Sequence, residues 1–113
     1  MIDSRRDETI AKASLEAINI PMKIIKLSSS LWKIFNLLVP IYNTSTKSDF
    51  QVAIHCLHTS IYAGYYNVQV NVTNFINKKM EEICNNLSKE AKQYCIEADE
   101  QLSNILKLLE SKQ

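Results

Sequence analysis

The chain is short of the two residues that make tight turns. Its 113 residues include one glycine and two prolines. β-Hairpins, dinucleotide-binding folds and phosphate-binding loops depend on such residues at their turns. The sequence therefore excludes an all-β fold, a Rossmann unit and a P-loop, and it favours a helical protein.

The chain also lacks an excess of charge of either sign. Thirteen lysines and arginines oppose twelve aspartates and glutamates, which gives a net charge of +1. Proteins that bind nucleic acid or anionic lipid usually carry a basic patch. We therefore expect no nucleic-acid partner and no electrostatic attachment to a membrane.

Cysteine is sparse and its spacing is uninformative. The three cysteines, Cys56, Cys84 and Cys95, make an odd number and match no zinc, haem or redox motif. The charged N-terminal segment, residues 1–8, does not resemble a signal peptide. We expect reduced thiols packed as small apolar groups and a cytoplasmic location.

Apolar residues at steps of three and four predict a first long helix from about Asp7 to Leu38. Pro21 lies within this pattern and removes one backbone hydrogen bond, so we expect a kink or a short break there. The positions of the pattern are Ile10, Ala13, Ala17, Ile20, Ile24, Leu27, Leu31, Ile34 and Leu38.

A second helix is predicted from Asp49 to about Val72, with Ser48 as its N-cap and Gln51 as the reciprocal partner. No charged residue occurs between positions 50 and 77. Scattered histidine, glutamine and asparagine side chains argue against a membrane span and favour a helix packed against protein on several sides. The alternation of valine with polar residues at 68–72 leaves a short strand as a competing local prediction.

A third helix is predicted after a turn near Thr73–Asn77. Its apolar positions extend from Met80 to Leu109 at the same steps, and charged residues fill the opposite face. Residues 1–113 are thus expected to form a single all-α domain, an elongated bundle of three long helices. Their apolar surface exceeds what one chain can cover, so we expect dimerisation to complete the bundle.

Few side chains suggest chemistry by themselves. His55 and His58 are three residues apart and share a helix face, but no acidic residue accompanies them within a turn, so we predict packed or hydrogen-bonded histidines and no metal site. The acidic pair Asp99-Glu100 is expected on a solvated face. A cluster of tyrosines and amides in the second helix suits either a planar, amide-rich ligand or an interhelical hydrogen-bond network. Its members are Tyr62, Tyr65, Tyr66, Asn67, Gln69 and Asn71.

The order of several short motifs resembles the cyclodeaminase/cyclohydrolase family, which includes the C-terminal domain of formimidoyltransferase-cyclodeaminase and methenyltetrahydrofolate cyclohydrolases. The motifs are Ala17-Ile18-Asn19-Ile20-Pro21-Met22-Lys23, Ser48-Asp49 at the start of the central helix, and Tyr66-Asn67-Val68-Gln69-Val70-Asn71-Val72 at its end. The resemblance covers about residues 7–110. Domains of the family are nearly twice as long, so the chain resembles the C-terminal half of such a domain.

The resemblance implies a helical protein that dimerises and binds a tetrahydrofolate derivative near the dimer interface, with no further cofactor. The implied reaction converts 5-formimidoyltetrahydrofolate to 5,10-methenyltetrahydrofolate and releases ammonia. By position, Asp49 is the implied catalytic residue, and Ser48, Asn67 and Asn71 are the implied substrate-binding residues. Whether the chain is an enzyme is left open, because a non-catalytic helical module for oligomerisation or interaction is the alternative.

Overall fold

A computed structural model of the chain describes residues 2–73 and 78–111, and all the regular structure within these ranges is helical. The helices are α1 (Ile2–Ser30), α2 (Trp32–Leu38), α3 (Lys47–Thr73) and α4 (Lys78–Ser111), with a 3-10 turn at Thr44–Thr46 before α3. The predicted all-α architecture of three long helices is confirmed. No helix within the described ranges has the length and apolarity that crossing a bilayer requires.

The first predicted helix is confirmed, with one interruption. Helix α1 continues through Pro21, so the predicted short break is absent, while a kink at that position stays a prediction. The regular α-helix is interrupted instead at Leu31, where the backbone N–H donates to the carbonyl of Ser28 in a tighter turn. Because Leu31 keeps helical backbone angles (φ −77°, ψ −20°), α2 follows directly from α1.

The start of α3 differs from the prediction. Asn43 accepts a hydrogen bond from the backbone N–H of Ser45 at 3.0 Å and caps the 3-10 turn that leads into the helix. The prediction of Ser48 as N-cap is therefore wrong, because the chain is already helical when it reaches that residue. The alternative of a strand at 68–72 is also wrong, since α3 extends to Thr73. Residues 74–77 of the predicted turn lie outside the described residues.

The three long helices pack into an elongated bundle that measures 68 × 18 × 17 Å. Helix α3 packs against both α1 and α4, so it is the central helix as predicted. All the buried hydrophobic residues except Ala11 form a single cluster that extends along the bundle. In α4 the cluster contains mainly small side chains, and all but Cys95 lie at predicted positions. They are Cys84, Ala91, Cys95 and Ala98, followed by Ile105 and Leu109. Small residues allow two helix backbones to come close together.

Helix α1 lies close to α3 at the single glycine of the chain, Gly64. A Cβ atom at Gly64 would lie 2.5 Å from Cγ1 of Ile25 and 3.4 Å from the carbonyl oxygen of Pro21. The two helices therefore cross where one of them lacks a side chain.

Each of α1 and α3 has a second apolar face that the described residues leave largely uncovered. On α3, Val52, Ala63 and Tyr66 are exposed, although the opposite face of the helix is buried. The larger exposed face belongs to α1 and α2 and the turn after them, and we call it the outer stripe. Its members are Ile10, Ala13, Ala17, Ile20, Ile24, Leu27, Leu31, Ile34, Leu38 and Ile41.

Candidate functional site

A hydrogen-bonded group of three side chains lies where α3 and α4 meet. Asp99 of α4 accepts hydrogen bonds from the Tyr62 hydroxyl, at 3.0 Å to Oδ1 and 2.8 Å to Oδ2. Its Oδ1 is also 2.7 Å from Nε2 of His58. Because the two α3 residues are four apart, they lie on one face of the helix, and their rings are 4.8 Å apart. One carboxylate thus orients an imidazole and a phenol.

The electrostatics of this group follow from its hydrogen bonds. Those from His58 and Tyr62 hold the pKa of the Asp99 carboxyl below its usual value. In return, the hydrogen bond to Asp99 raises the pKa of Tyr62 to about 12. At neutral pH the site therefore holds an ionised carboxylate and a protonated phenol. A histidine paired with a carboxylate is an arrangement suited to proton transfer.

Replacement of Tyr62 by phenylalanine is expected to weaken the contact between α3 and α4. Because the pKa of Asp99 is lower in the folded chain than in the unfolded chain, the ionised carboxylate stabilises the fold at pH values above the ordinary aspartate pKa. This stabilisation is lost as the pH falls through the lower pKa of the folded chain. The raised pKa of Tyr62 stabilises the fold below pH about 10, and this is lost as the pH rises through about 12. We expect a loss of about 1 kcal/mol at neutral pH, because the carboxylate is partly exposed.

Urea unfolding at neutral and acidic pH measures this effect. The difference between wild type and Tyr62→Phe should shrink in acid, where Asp99 is protonated. Tyr66→Phe is the matched control, since this ring is 6.0 Å from that of Tyr62 and more exposed. Equal losses for the two variants would contradict the assigned role of the Tyr62 hydroxyl.

Two further side chains of the tyrosine and amide cluster, Tyr65 and Gln69, contact α4. Tyr65 contacts the ring of Tyr66, and the ammonium group of Lys92 on α4 lies 5.4 Å from the centroid of the Tyr65 ring. Gln69 donates to the hydroxyl of Ser88 on α4 at 2.8 Å. Of the two interpretations of this cluster, these contacts favour an interhelical network.

The predicted residues Ser48 and Asp49 are exposed in the first turn of α3. Ser48 lies at one end of an open groove of 810 Å³ that follows α3 toward the middle of the bundle. The groove contains polar and small side chains and is lined by Ser48, Gln51, Val52, His55, Cys56, Thr59, Ser60 and Leu106. Ligand-binding sites often combine apolar walls with a few polar groups in this way.

The other two predicted residues lie at the far end of the same helix. Asn71 is half-buried, and its side-chain amide donates to the backbone carbonyl of Asn67 at 2.8 Å. At 1.5 Å per residue, Asp49 and Asn71 are about 33 Å apart along α3. One chain therefore does not bring the four predicted residues together around one ligand.

Sequence reasoning missed Asp99, which was expected on a solvated face. Its side chain is 55% exposed, yet it joins the two helices through His58 and Tyr62. The spacing of the two α3 residues was the available signal, but their acidic partner is 41 residues away from His58. The described residues contain no group of three or more histidine, cysteine or acidic side chains arranged to hold a metal ion.

Comparison with known proteins gives a consistent set of relatives. The family model described as formiminotransferase-cyclodeaminase matches residues 3–93, which span α1 to α3 and the first half of α4. The formimidoyltransferase-cyclodeaminase of Dictyostelium discoideum is 31% identical over 108 residues, which are 96% of this chain and 20% of the relative. The protein of the same name from Rattus norvegicus is 30% identical over 78 residues, 69% of this chain and 14% of the relative.

A third relative, the formimidoyltransferase-cyclodeaminase of Gallus gallus, is 26% identical over 93 residues, which are 79% of this chain and 17% of the relative. The chain thus spans a fifth or less of the length of these curated relatives. Asp99 lies beyond the region that the family model matches.

Proposed function

The chain belongs to the formiminotransferase-cyclodeaminase family, and on that premise we propose that it binds a tetrahydrofolate derivative and takes part in the cyclodeaminase reaction. In this reaction 5-formimidoyltetrahydrofolate closes to 5,10-methenyltetrahydrofolate and ammonia leaves. The family match over residues 3–93 is the observation that carries the proposal. The proposed setting is the cytoplasm, where the three cysteines, all free in the structure, stay reduced.

The chemistry of the reaction defines the tasks of the residues that bind the folate. The formimino carbon is already bonded to N5 of the pterin ring, so the folate has to be held with N10 in reach of that carbon. N10 forms the new bond and loses its proton, and the leaving amine gains a proton and departs as ammonia. We assign the proton transfer to Asp49 and substrate binding to Ser48, Asn67 and Asn71. The groove that begins at Ser48 supplies apolar walls and hydrogen-bonding groups for a flat ring system.

The separation of these residues favours a homodimer. Asp49 and Asn71 are about 33 Å apart within one chain, further than a folate monoglutamate extends. Each end of α3 can therefore contact only part of such a ligand, and surface from a second chain is needed to enclose it. The uncovered apolar faces of α1 and α3 leave room for such a chain.

Calorimetric titration with tetrahydrofolate, followed by an assay of ammonia release from 5-formimidoyltetrahydrofolate, tests the proposal. We expect saturable binding, and we expect Asp49→Asn to lower ammonia release about 100-fold or more. Asn71→Ala should weaken binding about fivefold, the equivalent of about 1 kcal/mol for one hydrogen bond.

Two matched controls accompany these variants. Glu100→Gln neutralises an exposed carboxylate on α4, and Asn104→Ala removes an exposed amide there. Neither should change turnover or binding. A folded chain that binds no folate would overturn the proposal and leave the non-catalytic interaction module as the function. Binding without ammonia release would show that the catalytic assignment is wrong for this chain alone.

A further inference from the structure

We propose that Asp99 accepts a hydrogen bond from the 2-amino group of the pterin ring and thereby sets the orientation of the folate in the groove. This inference rests on the proposed function and deepens it, because it names the residue that recognises the pterin. Asp99 lies beyond the region that the family model matches, and none of the assignments above includes it.

The hydrogen-bonded group around Asp99 lies at the inner end of the groove. The furthest residue along α3 that lines the groove is Ser60, which lies between His58 and Tyr62 in the sequence. On α4 the groove is lined by Leu106, which is seven residues, or about two helical turns, from Asp99 and shares its face. Because α3 and α4 run in opposite directions, Leu106 lies on the groove side of Asp99. A ligand that fills the groove therefore ends near this carboxylate.

Asp99 has hydrogen-bonding capacity left for a ligand. An ionised carboxylate only accepts hydrogen bonds, and it offers about four lone pairs. The described residues donate two hydrogens to it, because His58 donates from Nε2 to Oδ1 and the single hydroxyl hydrogen of Tyr62 is shared between Oδ1 and Oδ2. The oxygen Oδ2 thus receives only part of one hydrogen bond. The side chain is 55% exposed, so a ligand can reach it.

His58 and Tyr62 prepare this carboxylate for binding. The hydrogen bond from His58, followed by that from Tyr62, keeps the pKa of Asp99 below its usual value, so the acceptor stays charged at neutral pH. Both bonds come from one face of α3 and hold the carboxylate in one orientation. A charged acceptor that is already oriented gives a stronger hydrogen bond and loses less entropy when a ligand binds.

The orientation of the folate follows from its chemistry. The 2-amino group lies at the end of the pterin opposite to the side chain that contains N10. When it meets Asp99 at the inner end of the groove, N5 and N10 lie toward Asp49, the neighbour of Ser48 at the outer end. His58 and Tyr62 are nine and thirteen residues beyond Asp49, so Asp99 is about 14–20 Å from Asp49 along α3. The ring, the reacting carbon and one hydrogen bond at each end bridge a distance of this order.

Calorimetric titration of the full chain with two ligands tests this contact. The ligands are tetrahydrofolate and its 2-desamino-2-methyl analogue, in which a methyl group replaces the donor. Wild type should bind tetrahydrofolate at least about 10-fold more tightly than the analogue, the effect of one hydrogen bond to a charged group. Asp99→Asn should weaken the binding of tetrahydrofolate about 10-fold or more and that of the analogue less than about threefold.

The analogue separates recognition from a structural role. If Asp99 only joins α3 to α4, Asp99→Asn weakens both ligands equally, and this result would overturn the proposal. Glu100→Gln is the matched control, since it neutralises the adjacent exposed carboxylate and should bind both ligands as wild type does. Circular dichroism checks the fold of each variant. The preference of wild type needs no variant, so equal affinity of wild type for the two ligands overturns the proposal even if Asp99→Asn does not fold.

Guanosine carries the same amino group beside a ring N–H, and it distinguishes a folate site from a purine site. It should bind wild type at least about 10-fold more weakly than tetrahydrofolate, because it lacks the p-aminobenzoyl group that lies along the rest of the groove. Tighter binding of guanosine would assign the site to a nucleoside and overturn the proposal.

The same titrations distinguish failure of this contact from failure of the proposed function. Wild type that binds tetrahydrofolate and the analogue equally is still a folate-binding protein, and only the role of Asp99 is overturned. Wild type that is folded and binds neither ligand overturns the folate function and this contact together.

Discussion

Replacement of Gly64 by leucine is expected to destabilise the chain by about 3 kcal/mol, and replacement by alanine by about half as much. In a solvent-exposed helix the alanine variant would gain about 1 kcal/mol. Here a Cβ atom would lie 2.5 Å from Cγ1 of Ile25, whose side chain is fully buried and cannot turn away. The carbonyl oxygen of Pro21 would lie at an ordinary contact distance of 3.4 Å, so the steric conflict comes from the side chain of Ile25.

Urea unfolding of a double-mutant cycle measures this effect and identifies its cause. Ile25→Ala removes the atoms that the new Cβ would meet, so Gly64→Ala should be neutral or stabilising in that background. A loss of stability that is the same in both backgrounds would show that the crossing of α1 and α3 is not what requires glycine. The slope of unfolding against urea should stay unchanged if only the native contact is altered.

Replacement of Ala98 by leucine is expected to separate α4 from α3 and to cost about 3 kcal/mol. Ala98 is fully buried, in the row of small residues with Ala91 and Cys95. Extra methylene groups there have no space unless the helices move apart. Because Asp99 is the next residue, the same movement should break its hydrogen bonds to His58 and Tyr62, and the pKa of Tyr62 should fall from about 12 toward its ordinary value.

Ultraviolet titration of the tyrosines and urea unfolding test this prediction together. The control is Glu97→Leu, which adds a leucine to the adjacent exposed position of the same helix and should change stability by less than about 0.5 kcal/mol. A destabilised Ala98→Leu variant in which Tyr62 still titrates at high pH would show that the hydrogen-bonded group does not depend on the close approach of α3 and α4.

The sequence predicted buried residues best in the helix that has a single apolar face. In α4 the residues predicted to face inward, from Cys84 to Leu109, are buried or half-buried, because charged residues on the opposite face leave no alternative. In α1 two apolar faces compete, and the pattern with the most regular steps is the exposed one. The spacing of apolar residues shows that one face of a helix is apolar. It does not show whether that face packs against the same chain or against a partner.

Local signals at the helix ends gave a mixed result. Ser48, Asp49 and Gln51 have the composition of a helix start. Asn43, however, caps a 3-10 turn that begins five residues before Asp49, and α3 itself begins at Lys47. Pro21 was expected to interrupt α1, whereas the interruption occurs at Leu31, after three consecutive serines. Such choices depend on how the segment packs against its neighbours, which local propensity does not include.

Local sequence patterns also failed to predict which residues meet at the candidate site, because these residues are far apart in the sequence. His58 was singled out by its spacing from His55, and Tyr62 as a member of the tyrosine and amide cluster, but the carboxylate that orients both comes from α4. The predicted ligand residues Asp49 and Asn71 were grouped by a resemblance that orders motifs along the chain, and the straight course of α3 places them about 33 Å apart. The order of motifs along the chain does not determine how far apart their residues lie in the folded structure.

The length of the bundle has a consequence for how the chain behaves in solution. A particle of 68 × 18 × 17 Å experiences more friction than a sphere of the same mass, so a single chain will leave a gel-filtration column early, at the position of a larger globular protein. Elution volume would therefore report a dimer whether or not one exists. Small-angle scattering avoids this ambiguity. Two chains side by side keep a maximum dimension close to that of one chain and enlarge only the cross-section, whereas chains joined end to end would nearly double the length.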